Sequence, residues 1–147
     1  MHERTGVEKD GSHDSVEGKR VEEQSVARWT MTGWTLGIET TAHTLSFGLV
    51  DKDGIPYPAS SDTLRPDQGG IHPREAADHH KDVAADLFTS VLNQHGLTTE
   101  DIGAVAYSQG PGLGPCLRVG AAVARGLATR MDVPLIGVNH CVAHIEI

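Results

Sequence analysis

The sequence contains little cysteine, few aromatic side chains and no long apolar run. Two cysteines among 147 residues cannot form a disulfide framework, which agrees with a reducing cytoplasm. No apolar run approaches the ~20 residues that span a bilayer, and no signal-type segment opens the chain, so we predict a cytoplasmic protein that does not enter a membrane. Two residues each of Phe, Trp and Tyr, against 17 glycines, indicate a core of small aliphatic side chains joined by tight turns.

The chain is acidic, with 12 Lys and Arg against 20 Asp and Glu and a formal charge of −8. A negative surface is a poor binding surface for nucleic acid unless a partner supplies cations. The acidity also agrees with a high-salt cytoplasm. Composition alone does not show whether the negative charge reflects the absence of a nucleic-acid-binding surface or a high-salt cytoplasm.

Residues 1–33 differ from the rest of the chain. They mix both signs of charge with Gly and Ser and have no sustained apolar period. We expect a disordered leader, because such a segment buries too little apolar surface to become ordered, or a start assigned too early, with Met31 as the alternative start. The folded part is then expected over residues 34–147.

The remaining pattern predicts an α/β domain with a mixed sheet. Three consecutive strands precede helix, strand, helix, strand and helix, an order typical of a meander extended by parallel crossovers. Pro56 and Pro58 favour an edge position for the third strand. The first helix is expected to begin near Pro73 and to end before Gly96. One face of it holds Ala76, His80, Val83, Ala84, Leu87 and Val91, and one side of the second helix, which is expected to start at Cys116, holds Leu117, Ala121, Ala124 and Ala128.

The last predicted helix follows a cap at Asn139 and ends on apolar Ile145 and Ile147. A domain that finished there would leave an apolar helix face without a partner. We therefore expect this chain to be a fragment of a longer protein.

The strongest chemical signal is the pair His140 and His144. Histidines at positions i and i+4 of a helix lie on one face about 5–6 Å apart, a separation that lets both rings reach one metal ion. They also follow the carboxyl end of an apolar strand, where open α/β sheets bind ligands. The sequence offers no obvious third ligand nearby, and we expect Cys141 to be a small core residue.

A glycine-rich loop, Ser108 to Gly120, joins a buried strand to a helix. Its glycines could let backbone N–H groups approach an anion at the helix N-terminus, or let the helix pack closely on a neighbouring strand. The pattern is neither G-x-G-x-x-G nor G-x-x-x-x-G-K-[ST], so a Rossmann or P-loop nucleotide site is disfavoured. We expect Arg118 to be a surface charge.

Two further polar segments precede that loop. The hairpin Gly37 to Thr44 is rich in hydroxyl groups and could present a loop to phosphates. The segment Gly69 to His80 places His72 and Arg74 at a helix start, where solvent exposure is expected, and puts His79 and His80 on different sides of the helix.

Four segments together, LGIETTAHT, GGIHPREAADHH, SQGPGLGPCLRVG and GVNHCVAHIEI, resemble one family closely. They are similar, in order from Trp34 to Ile147, to the archaeal and eukaryotic branch of the universal tRNA threonylcarbamoyladenosine transferase family, called TsaD in bacteria and once named O-sialoglycoprotein endopeptidase. His43-Thr44 stands where the bacterial branch has an acidic pair, which fits the archaeal branch.

This resemblance implies the N-terminal lobe of an actin-like ATPase (ribonuclease H-like) fold, with an active site between two lobes. It implies transfer of threonylcarbamoyl from threonylcarbamoyl-AMP to the adenosine amine beside the tRNA anticodon, with release of AMP. The implied partners are tRNA and the KEOPS subunits, among them a small atypical kinase that is separate or fused downstream. ATP binding would involve the second lobe.

The resemblance also implies a site. His140 and His144 match the family's metal ligands for iron or zinc, and the hairpin Glu39 to Thr44, with Thr41 and His43, would line the cleft near the adenylate phosphate. The family's third protein ligand, an Asp, lies in the C-terminal lobe, which this chain lacks. The resemblance assigns no catalytic residue within 34–147, and the chain alone is expected to be inactive.

Three other functions agree with parts of the pattern. A non-catalytic dimerisation scaffold of the same fold would lack the histidine pair. A metalloprotease would carry Glu beside the first histidine, where this chain has Cys141. A sugar or acetate kinase of the same superfamily would leave the two histidines unexplained.

Overall fold

The order of strands and helices agrees with the sequence prediction. The computed structural model describes residues 33–66 and 68–146. The elements in that part are β1 (Trp34–Glu39), β2 (Thr44–Val50), β3 (Pro56–Thr63), α1 (Pro73–Gln94), a short 3-10 helix (Thr99–Asp101), β4 (Ile102–Gly110), α2 (Gly114–Met131), β5 (Leu135–Asn139) and α3 (His140–Ala143). The predicted leader, residues 1–33, lies outside the described residues except for Gly33.

The five strands form one mixed sheet in the order β3-β2-β1-β4-β5. β2 is antiparallel to both β1 and β3, whereas β4 is parallel to both β1 and β5. The predicted meander with parallel crossovers is therefore confirmed. β3 begins at Pro56 and lies at the edge, where Pro58 removes no hydrogen bond that the sheet needs.

Helices α1 and α2 cover one face of the sheet. Side chains alternate along each strand, so every second residue of β1 and β2 points into this core. The buried strand residues are Leu36, Ile38, Leu45, Phe47, Leu49, Ile102 and Val105, and the helices contribute Ala84, Val91, Leu92, Ala124 and Ala128. The predicted helix faces are confirmed, with Val83 and Leu87 partly buried.

Element boundaries follow local chemistry. Pro73 is the first residue of α1, and Gly96 follows the helix with φ +66°, a left-handed conformation that favours glycine. α2 begins at Gly114, two residues before the predicted start at Cys116, because Leu113 takes the extended conformation of an N-cap residue and Pro115 suits the first turn. Arg118 is exposed, as expected.

α3 is shorter than predicted. The cap is confirmed, since the Asn139 side chain accepts the N–H groups of Cys141 and Val142. After Ala143, however, the Ile145 N–H donates to the carbonyl of Val142, three residues back, which interrupts the regular series of α-helical hydrogen bonds. None of the helices in residues 33–66 and 68–146 is long and apolar enough to cross a membrane.

Candidate functional site

The two histidines of the sequence motif face each other just beyond β5. The Asn139 Oδ1 accepts the N–H of Cys141 at 3.0 Å and that of Val142 at 3.1 Å, which starts the helical turn immediately after the strand. The Nε2 atoms of His140 and His144 are 3.2 Å apart, and the ring planes are 89° apart. Two nitrogens each about 2.0–2.1 Å from one zinc ion can have this separation, so the pair fits a shared ion.

A carboxylate from the other end of the chain holds the first of these rings. Glu39 ends β1, and its Oε2 lies 3.1 Å from the Nδ1 of His140. An Nδ1–H that donates to this oxygen leaves the Nε2 lone pair free to bind a cation. Glu39 therefore orients the ring and selects the tautomer that a metal ligand needs.

The charge of Glu39 is stabilised by its neighbours. Partial burial works to raise the pKa of this carboxyl, but hydrogen bonds from Thr41 and from His140 outweigh it, and the pKa lies below its ordinary value. The shortest of these contacts joins the Thr41 N–H to Glu39 Oε1 at 2.6 Å. The carboxylate is ionised at neutral pH and available to His140.

Of the two loop residues that the resemblance assigned to the substrate, Thr41 lies at the histidines. Its Oγ1 is 3.5 Å from His140 Nδ1, and its side chain is buried. His43 lies at the end of the same loop, where its carbonyl accepts the Leu64 N–H at 2.9 Å. In the described part of the chain, its ring forms no hydrogen bond with His140 or His144.

The glycine-rich loop packs against the β1–β2 hairpin. The Leu113 N–H donates to the Thr41 carbonyl at 2.7 Å. A Cβ on Gly112 would lie 2.5 Å from that same carbonyl oxygen, and a Cβ on Gly120 would collide with Thr40 Oγ1. Of the two roles considered for these glycines, the structure shows close packing.

The histidines around the start of α1 lie where the sequence predicts. His72 caps the helix by accepting the Arg74 N–H at 3.3 Å, and both residues are exposed. His79 and His80 face different neighbours, His79 towards Asp62 at 2.9 Å and His80 into the interior.

A groove of about 380 Å³ leads from His140 over the sheet face that α1 and α2 do not cover. Glu39 and His140 lie where parallel strands β1 and β5 end, at the edge where α/β sheets place ligands. The rest of the groove is lined mainly by small residues, including Thr35, Gly37, Gly48, Ala59, Ala106 and Val138.

The described part of the chain does not by itself contain a complete donor set for a metal ion. Residues 33–66 and 68–146 contain no group of three or more His, Cys, Asp or Glu side chains arranged to hold a metal ion. The Glu39 oxygens are engaged by His140 and Thr41. Cys141 is exposed rather than in the core as predicted, because it lies on the solvent side of the short α3. Two imidazole nitrogens are what this part of the chain offers.

Sequence reasoning missed the contact between Glu39 and His140. The two residues are 101 positions apart, and the link depends on β1 and β5 lying in one sheet with only β4 between them. The available signal was that both residues follow strands whose carboxyl ends share one edge.

Solved structures identify the class of fold. The chain is similar to YeaZ from Pseudomonas aeruginosa, with a TM-score of 0.58 and 19% identity over 74% of this chain and 43% of that one. A second Pseudomonas aeruginosa structure, described as similar to peptidase YEAZ, also gives a TM-score of 0.58, at 20% identity over 74% of this chain and 44% of that one. The mixed five-stranded sheet with helices is thus of the actin-like, ribonuclease H-like class.

Sequence comparison is more specific. The family model of TsaD, tRNA N6-adenosine threonylcarbamoyltransferase, matches residues 57–147. Curated relatives of that name are 54% identical in Pyrobaculum aerophilum, covering 76% of this chain and 33% of the relative, and 51% identical in Thermococcus kodakarensis, covering 76% and 34%. The chain belongs to the TsaD family, and it spans about a third of the length of these relatives.

Proposed function

We propose that this chain is the N-terminal lobe of a tRNA N6-adenosine threonylcarbamoyltransferase. The proposed reaction transfers threonylcarbamoyl from threonylcarbamoyl-AMP to the amine of the adenosine beside the tRNA anticodon and releases AMP. Support comes from the family match and from relatives of that name, of which this chain covers about a third. The lobe is proposed to be inactive alone, since the second lobe supplies the remainder of the cleft.

The observation that carries the proposal is the histidine pair with its carboxylate. His140 and His144 would hold an iron or zinc ion through Nε2, and Glu39 would keep His140 in the required tautomer. When bound, the ion would supply Lewis-acid polarisation of the carbamoyl group and help to position it. The third protein ligand, an Asp, is proposed to come from the second lobe.

The chain's own residues would act on the adenylate end of the donor. Thr41 places a hydroxyl beside His140, and we propose that Thr41 and His43 line the cleft near the adenylate phosphate. The groove beside Glu39 and His140 is open, so the second lobe would have to exclude water from the carbamoyl group.

We also propose the setting. The chain carries a net charge of −8 and is therefore unsuited to hold tRNA by itself. The RNA contacts would come from the second lobe or from KEOPS subunits, which include a small atypical kinase. ATP binding is assigned to the second lobe. The archaeal relatives favour an archaeal enzyme, and the low cysteine content agrees with a cytoplasmic one.

Metal analysis tests the site directly. The wild-type 147-residue chain should bind Zn²⁺ or Fe²⁺ weakly, and His140→Ala and His144→Ala should each remove that binding. Cys141→Ser is the matched control, adjacent in sequence and exposed, and it should leave binding unchanged. Equal metal content in wild type and His140→Ala would overturn the proposed site.

Activity and gene sequence test the lobe assignment. The 147-residue chain, given threonylcarbamoyl-AMP and tRNA, should transfer nothing; robust turnover would contradict the assignment. The reading frame beyond Ile147 should continue into a second glycine-rich lobe with a late Asp, and a coding sequence without one would overturn the proposal that this is part of a complete transferase.

A further inference from the structure

His80 is a buried polar side chain that the proposed reaction does not use. It lies in α1, its side chain is inaccessible to solvent, and its Nε2 is 3.0 Å from the carbonyl oxygen of Ala42. For a neutral imidazole this contact requires the Nε2–H to donate, which leaves Nδ1 as an acceptor. Within residues 33–66 and 68–146, that Nδ1 is buried and has no hydrogen-bond partner. An apolar side chain would avoid the cost of burying it, so the bond to Ala42 is what histidine adds here.

The Ala42 carbonyl is one of three backbone anchors in the β1–β2 loop. The Thr40 N–H donates to Ser108 Oγ at 3.2 Å, and the Thr41 carbonyl accepts from the Leu113 N–H at 2.7 Å. Three successive loop residues are thus hydrogen-bonded to three different parts of the fold: β4, the segment between β4 and α2, and α1. His80 makes the hydrogen bond from α1.

The same loop carries the groups that touch the first histidine of the motif. Glu39 precedes the anchored residues and bonds His140 Nδ1 at 3.1 Å, while Thr41 Oγ1 lies 3.5 Å from that atom. The Thr41 N–H closes the arrangement by donating to Glu39. A displacement of the Ala42 carbonyl would therefore move the two side chains that orient His140.

We propose that His80 is a positioning residue, which fixes the β1–β2 loop through the Ala42 carbonyl and so holds Glu39 and Thr41 against His140. The His80 ring is buried under the sheet face that the helices cover, whereas His140 lines the open groove. The inference rests on the proposed function only in taking His140 as a metal ligand.

Two substitutions separate the hydrogen bond from simple packing. His80→Leu fills the space without a donor, and His80→Gln retains an N–H that can reach the carbonyl. His79→Gln is the matched control, since that ring is adjacent on α1 and faces Asp62 instead. For each 147-residue variant, Zn²⁺ affinity is measured by competition with a chromophoric chelator, and backbone amide exchange is followed by NMR.

His80→Leu should weaken Zn²⁺ binding about tenfold, as loss of an outer-shell partner does, and should speed exchange of the Thr41 and Leu113 amides. Amides in β4 and α2 should keep their wild-type exchange rates, which distinguishes loop release from general destabilisation. His80→Gln should restore both properties to within about twofold of wild type, and His79→Gln should change neither.

The experiment distinguishes a failure of the His80 proposal from a failure of the proposed metal site. If His80→Leu leaves Zn²⁺ affinity and loop exchange unchanged, or if His80→Gln is as impaired as His80→Leu, the positioning role is wrong. If wild type binds no Zn²⁺, the proposed metal site fails, while the amide exchange data still decide whether His80 holds the loop.

Discussion

The Glu39 carboxylate lies 3.1 Å from the Nδ1 of His140, across 101 residues of sequence. One residue ends the first strand and the other begins the segment after the last. Because the pair joins two strand ends, its geometry is set by the whole sheet rather than by a local turn. This contact provides the first test of the candidate site.

Glu39→Gln should weaken Zn²⁺ binding by the chain about 10- to 100-fold. The amide keeps the size of the side chain but removes the charge that stabilises a metal-bound imidazole. Competition titration with a zinc chelator measures the effect. Glu100→Gln, an exposed substitution in the 3-10 helix, is the control and should bind Zn²⁺ like wild type.

Gly120→Ala should destabilise the fold by about 1–3 kcal/mol, because the new Cβ collides with Thr40. Gly126 lies on the same helix, and a Cβ added there would have nothing within 4 Å. Gly126→Ala should therefore stabilise the fold by up to about 1 kcal/mol. Urea unfolding of both variants measures the difference. Equal stabilities would show that the hairpin does not pack against α2 as described.

The His80 side chain should make the protein sensitive to mild acid. Burial lowers its pKa, helped by the charges of His79 and His43, and the hydrogen bond to Ala42 with the charge of Glu39 only partly opposes this. The unfolded chain takes up a proton near pH 6.5, whereas the folded chain takes it up at lower pH, so stability falls as the pH drops below about 6.5.

The corresponding measurement is unfolding in urea at pH 7 and pH 5. Wild type should lose up to about 2 kcal/mol more than His80→Gln over this interval, since the glutamine does not titrate. The double difference removes the contribution of the other histidines. An identical pH dependence in both proteins would contradict the assignment of a neutral buried imidazole.

The two thiols should differ sharply in reactivity. Cys116 is fully buried, and burial raises the pKa of its thiol, whereas Cys141 is exposed. A thiol reagent should label one site rapidly in the folded protein, and Cys141→Ser should abolish that rapid phase. Denaturant should then expose Cys116. Cys116 packs with Ala76 and Ala77 of α1, so rapid labelling that survives in Cys141→Ser would mean that this contact opens readily.

The elements of the fold could be predicted because their signals are local. Apolar spacing marked the buried face of α1, Pro56 and Pro58 marked an edge strand, and Asn139 marked a helix start. The histidine pair was visible for the same reason, since its two members lie one helical turn apart.

The remaining features required the assembled sheet. That Gly120 is a glycine because Thr40 lies against it, or that His80 reaches Ala42, cannot be read from either segment alone. Their partners lie on other elements, so spacing within a segment carries no information about them. The length of α3 was overestimated because its sequence pattern is helical, whereas the bond from the Ile145 N–H to the Val142 carbonyl interrupts the α-helical hydrogen bonding.

The strand order has a consequence for synthesis on the ribosome. β1 emerges before the other four strands of the described sheet, yet one of its two edges pairs with β4, which begins at Ile102. β2 and β3 can form a meander with β1 early, but the other edge of β1 keeps its N–H and C=O groups unpaired until some seventy more residues have been translated. At translation rates of about 5–20 residues per second, the nascent chain exposes an open strand edge for several seconds.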